Sequence, residues 1–271
     1  MHAAATRLES ELASAKGSVE LALHTDPDPD TGLPNRTGFL RALEPHIKLV
    51  MASSSPVVGL VAAVRFRAWS EVSMHRKPAV QLMLLDALKT RLLALVGSQG
   101  LVAHSGQDSY LLWMPVRAAT VQEAYGSWRQ LSRQLIPAIT VLHASVPTQP
   151  CSGVAALAMT APVDADVLTR QAELACSVAS RLQQTEPVVF SEELGIDAER
   201  REQFRSDMAQ SLAQGGFELQ YQPVVATNGA ALHKAEALLR WQHPRWGVVA
   251  PGVFIPVTEQ SDLIIEITDW V

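Results

Sequence analysis

Cysteine, excess positive charge and long apolar runs are all scarce in this sequence, and each scarcity argues against something. Cys151 and Cys176 are the only cysteines. They form no CxxC pair and have no partner histidine cluster, which argues against a disulfide framework or structural zinc and for a reducing, cytoplasmic setting. The apolar runs are short and bounded by turn residues, far from the roughly 20 residues that span a bilayer, so no membrane segment is expected in this chain. No cationic region leads into an apolar stretch at the N-terminus, so no signal peptide is expected either. The formal net charge of -5 argues against non-specific nucleic-acid binding, which needs a basic face. What remains is ordinary for a globular protein: 271 residues, 48% of them hydrophobic and 18% charged, enough for one large or two medium domains.

Leu8, Leu12, Ala15, Val19 and Ala22 recur at alternating steps of four and three, with charges between them. This is the seam of a short coiled coil, which would make a homodimer, or of a single amphipathic helix. Alternating prolines between 26 and 30 then forbid helix. Residues 56–66 read as a buried strand. Residues 78–96 read as a helix with Leu82, Leu85, Leu88, Leu92 and Leu95 on its apolar face. Segments 101–103 and 110–114 flank a polar turn as a hairpin. A helix is expected over 120–135, a strand over 154–159, and a helix over 166–183 with Val167, Gln171, Leu174, Val178 and Leu182 on one side. A last short strand covers 188–190. Alternation of strands and helices implies an α/β sandwich for residues 26–192. Residues 192–207 are charged, with few apolar anchors, and read as a helical linker. Strands over 217–225 and 234–241, a loop over 243–252 and a helix opening near Pro256 follow.

Two sets of residues carry a resemblance. Asp28, Asp30, Thr31, Gly32, Leu33, Asn35 and Arg36 are similar to the DxLTGLxNR signature that opens GGDEF domains, with Asp30 in place of its leucine. Tyr221, Gln222 and Pro223, then Glu236 through Trp241, then His243, Pro244, Gly247, Pro251, Phe254 and Pro256 resemble, in order and spacing, the opening of an EAL domain. The fold implied is a GGDEF-type, nucleotide-cyclase-like α/β sandwich, followed by the first strands of a truncated TIM-like EAL barrel. The domains implied are an N-terminal helix over 1–25, a degenerate GGDEF domain over 26–192, a linker over 193–214 and the EAL opening over 215–271.

Resemblance to GGDEF cyclases implies carboxylates holding metal ions against GTP. Anchoring the family's DxDxFK pattern on Phe66 and Arg67 puts Ala62 and Val64 where the two aspartates belong. Ser70 stands for the guanine-reading asparagine and Ala79 for the aspartate of GHxxGD, with His75 retained. Residues 97–100 carry neither charge of the RxxD inhibition motif. The signature loop reads Gly106, Gln107, Asp108, Ser109, Tyr110. Asp108 alone is in place, and the residues favour a turn aspartate bonding nearby backbone N–H groups. The expectation is a domain without cyclase activity or cofactor.

Strand alternation puts Glu236, Leu238 and Arg240 on one face, and Ala235, Ala237, Leu239 and Trp241 on the other, against outer helices. The residues alone allow a Glu–Arg ion pair. The resemblance implies instead that Glu236 is catalytic and ligates Mg2+ or Mn2+, that Arg240 holds a phosphate, and that Gln222 and Leu238 line the pocket for cyclic-di-GMP, which the complete domain would hydrolyse to its linear dinucleotide. Arg245, Trp246 and Glu259 receive no role. A TIM barrel takes about 250 residues, whereas 215–271 offers two strands. The chain is therefore expected to be a fragment or an interrupted gene, with open strand edges and no hydrolytic activity alone. A non-catalytic cyclic-di-GMP receptor and an interaction scaffold are the alternatives.

Overall fold

The computed structural model describes residues 27–53, 55–67, 78–106, 108–157, 163–225, 232–259 and 261–271. The expected helix over 1–25, Ser70, His75 and Gln107 lie outside them. The chain divides into two compact units, Met1–Glu192 and Glu193–Val271.

The first unit holds helices α1 (Arg36–Ala52), α2 (Pro78–Val96), α3 (Val121–Ser132) and α4 (Ala165–Arg181). Its strands are β1 (Val57–Phe66), β2 (Leu101–Gly106), β3 (Ser109–Arg117), β4 (Ile139–Val141), β5 (Ala144–Val146), β6 (Pro150–Ala156) and β7 (Val188–Val189). Five strands form one sheet in the order β2-β3-β1-β6-β7, with β1 antiparallel to both β3 and β6 and β7 parallel to β6. Being central, β1 is apolar on both sides, as strands covered on both faces are. Its Leu60, Ala62 and Val64 meet Leu84, Leu85, Leu88 and Leu92 of α2 and Trp128 of α3. Its Val61 and Ala63 meet Phe39, Leu43 and Ile47 of α1 and Leu168 and Ala172 of α4. The expected α/β sandwich is therefore present, two helices to a face.

Helix faces differ from the expectation in places. Leu82 is 49% exposed, and Leu84 takes its place beneath α2. On α4 the expected face is the wrong one: Val167 and Leu182 are exposed, while Ala165, Leu168, Ala172, Ala175 and Ala179 are buried. The reason is close approach. A Cβ added to Gly153 of β6 would lie 1.9 Å from the Cys176 backbone nitrogen, so the helix rests directly on the strand and only small residues fit between. The β4–β5 hairpin was not anticipated; its turn residues Leu142 and His143 have φ of 48° and 66°, without the Asn-Gly pair that usually announces such a turn.

The second unit contains α5 (Glu192–Ala213, its first residue closing the preceding unit), β8 (Phe217–Val225), β9 (Leu232–His243), β10 (Gly247–Val249), α6 (Pro251–Thr258) and α7 (Leu263–Trp270). Strands β8 and β9 make a long antiparallel pair, and β10 adds to β9. The described strands number three rather than two, and no barrel closes. Helix α5 is more than a linker: Met208 is fully buried, and Phe204 and Leu212 pack with it around Phe217, Trp241, Phe254 and Ile267. Helix α6 opens at Pro251, five residues before Pro256, because a proline is accommodated in a helix's first turn. Among the described residues no helix is long and apolar enough to cross a membrane.

Candidate functional site

The β8–β9 pair brings together the four residues singled out in the sequence. Gln222 stands directly opposite Glu236, Gln220 opposite Leu238 and Glu218 opposite Arg240. Directly paired residues share a sheet face, and steps of two along each strand keep to it. One face therefore presents Glu218, Gln220, Gln222, Glu236, Leu238, Arg240 and Gln242. On the other, Leu239 and Trp241 enter the core with Phe217, whereas Ala235 and Ala237 are exposed rather than packed under helices.

The Glu–Arg pair does not form. Among the described residues Glu236 has no hydrogen-bond or ion-pair partner and is exposed. Arg240 instead donates from Nε to Gln220 Oε1 at 3.1 Å and from one Nη to the Leu239 carbonyl at 3.0 Å. Gln220 and Gln242 both donate to Glu218 Oε1, at 2.9 and 3.2 Å.

The end of β9 is held by His243 of the motif and by Arg245 and Trp246, to which no role was assigned, together with Asp207, which the sequence did not flag. His243 is buried, and its Nδ1 accepts from the backbone N–H groups of Arg245 and Trp246 at 3.0 and 3.2 Å. That leaves Nε2 to donate to Asp207 Oδ2 on α5, 3.1 Å away, where Arg245 also donates at 2.8 Å. Hydrogen bonds from Gln203 and Arg245 hold the Asp207 carboxyl below its ordinary range. Trp246 stacks on His243 with centroids 4.0 Å apart. The His-Pro-x-x-Gly turn is thus clamped to α5, and Arg245 and Trp246 serve that clamp.

A divalent cation prefers six or more oxygen ligands. The Glu236 carboxylate and Gln222 amide are suitable donors, yet among the described residues no group of three metal-capable side chains occurs. The residues present do not complete a metal centre.

In the first unit Ala62 and Val64 are wholly buried in apolar core. Asp108 is engaged locally: its carboxylate accepts from Ser109 Oγ at 2.8 Å and lies 3.4 Å from Arg65 Nε, and its carbonyl accepts from Phe66 N–H. The turn role expected of Asp108 is seen, with side chains in place of the backbone donors expected for its carboxylate.

Residues 205–271 match the EAL domain family. The chain is similar to MucR of Pseudomonas aeruginosa, a bifunctional diguanylate cyclase/cyclic di-GMP phosphodiesterase, with 28% identity over 93% of this chain and 36% of MucR. It is similar to the cyclic di-GMP phosphodiesterase NbdA of the same organism, with 37% identity over 30% of this chain and 10% of NbdA. The chain thus spans little more than a third of the relatives it matches along its length. Over 64% of this chain the fold is similar to that of the isolated GGDEF domain of P. aeruginosa TpbB (YfiN), with a TM-score of 0.55 at 19% identity over 99% of the other chain. A further microbial GGDEF domain, solved with cyclic di-GMP, gives 0.51 at 19% identity over 62% and 99%. A GGDEF-type fold in the first unit, followed by a segment that matches the EAL domain family, gives this chain the order of domains of the GGDEF–EAL proteins that it resembles.

Proposed function

We propose that the protein to which these residues belong is a cytoplasmic cyclic-di-GMP phosphodiesterase, in which the first unit is a non-catalytic regulatory module. The observation that carries the reading is the placement of Gln222 directly across from Glu236, with Leu238 and Arg240 on the same face. Glu236 would be one ligand of Mg2+ or Mn2+, the remaining ligands coming from residues outside these 271, and the ion would supply an activated water. Arg240 takes a phosphate oxygen through its planar fork, and Gln222 and Leu238 border the nucleotide. For the first unit, two apolar side chains in core positions replace the carboxylates that GTP chemistry needs. The domain limits follow the sequence reading: 26–192, 193–214 and 215–271.

The test is turnover of cyclic-di-GMP by the full-length protein with Mg2+ or Mn2+. The expected product is the linear dinucleotide, and Glu236→Ala should lower turnover at least about a hundredfold, the loss expected if this carboxylate helps to hold the ion. Tight binding without turnover would make the protein a receptor. Absence of both binding and turnover would leave only a scaffold.

A further inference from the structure

We infer that Gln220, steadied by Glu218, is the positioning residue for Arg240 when the guanidinium meets a phosphate of cyclic-di-GMP; this rests on the function proposed for the β8–β9 face. An arginine carries five N–H donors in a rigid plane. Here Nε is committed to Gln220 Oε1 and one Nη donor to the Leu239 carbonyl. The remaining Nη donors are left on the outer edge of the fork, the edge that can donate to two phosphate oxygens. Gln220 cannot rotate its amide without cost, because its own Nε2 donates to Glu218 Oε1 while the oxygen faces Arg240. Gln242 donates to the same Glu218 oxygen from the neighbouring strand, so the carboxylate is steered from two sides. Glu218 lies directly opposite Arg240, but the contact between them runs through the Gln220 amide. A neutral oxygen orients the arginine without neutralising it, so its charge stays available to an anionic ligand. A directly paired carboxylate would compete with the phosphate for the same donors. Glu236, two residues from Leu238 on the same face, is left free by this arrangement.

The experiment is equilibrium binding of cyclic-di-GMP to the full-length protein, as a double-mutant cycle over Gln220→Ala, Arg240→Ala and the double variant, with a thermal melt of each. Gln220 is exposed and Arg240 half-buried, with neither in the core, so the melts should stay close to wild type. Gln220→Ala should weaken binding about three- to tenfold, a charge-assisted hydrogen bond discounted for solvent screening, and should add nothing on the Arg240→Ala background. Equal losses on both backgrounds, or no loss from Gln220→Ala, overturn the positioning role. Failure of the wild-type protein to bind cyclic-di-GMP overturns the reading of the face itself, before any variant is compared.

Discussion

At the scale of single residues, the opening signature is a folding device. Asp28 accepts from both the backbone N–H and the hydroxyl of Thr31, at 2.9 and 2.7 Å, and closes a turn in which Gly32 adopts φ 67°. His104 Nδ1 lies 3.0 Å from the other carboxylate oxygen, at an angle outside hydrogen-bond geometry, while its backbone N–H donates to the Pro34 carbonyl. Asn35 caps α1, and Arg36 spans from α1 to Glu173 and Asp166 of α4. Burial pushes the Asp28 carboxyl up, but the Thr31 hydrogen bonds and the His104 contact outweigh it and leave the group below its ordinary 3.8. A depressed folded value means that ionised Asp28 stabilises the fold at every pH above the ordinary carboxylate range, and that this contribution fades as pH falls through the folded value. Asp28→Ala should therefore cost about 2 kcal/mol at pH 7 and less at a pH below the ordinary carboxylate range, measured as the difference between urea midpoints of the two proteins. A difference that is the same at both pH values would contradict this account.

At the scale of elements, the sandwich is set by how closely each helix can approach the sheet. Helix α4 lies against β6 through Gly153, Ala172 and Ala175, and the added Cβ of an alanine at 153 would also meet the Ala175 carbonyl carbon at 2.4 Å. Backbone atoms cannot give way as a flexible side chain does. Gly153→Ala should lower stability by about 3 kcal/mol or more, against under about 0.5 kcal/mol for Leu82→Ala on the exposed side of α2. Comparable losses in the two variants, read from thermal unfolding, would refute the close-approach argument. The same physics decides what could be read in advance. Strand β1 and helix α2 were legible because bulky apolar residues mark them. The buried face of α4 was hidden because alanine gives no hydrophobic signal strong enough to outweigh Val167 and Leu182. The β4–β5 turn was hidden because Leu142 and His143 take left-handed conformations that neither residue advertises. On the second unit the face of Glu236, Leu238 and Arg240 was legible from alternation alone. Its brace, Glu218 with Gln220, was not, since register across two strands is a property of the pair rather than of either sequence.

At the scale of the molecule, each unit carries its own core. In the first, apolar clusters cover both faces of the sheet, one under α2 and α3 and the other under α1 and α4. In the second, Met208, Phe217, Trp241 and Phe254 form a smaller cluster against an open three-stranded sheet. A sheet covered on both faces can stand by itself, whereas an open one leaves Tyr221, Val248 and other apolar side chains exposed. Residues 26–192, produced alone, should accordingly unfold in a single cooperative transition. Under the proposed regulatory role they should also form no cyclic-di-GMP from GTP and Mg2+. Restoring the missing carboxylates should fail for a physical reason: Ala62 and Val64 have no solvent exposure, so Ala62→Asp and Val64→Asp place a charge in apolar core at a cost of about several kcal/mol. The doubly substituted unit should lose its cooperative transition rather than acquire GTP turnover. A substituted unit that melts as sharply as the original and binds Mg2+ would show instead that this end of β1 opens to solvent, and would return the first unit to the class of nucleotide-binding domains.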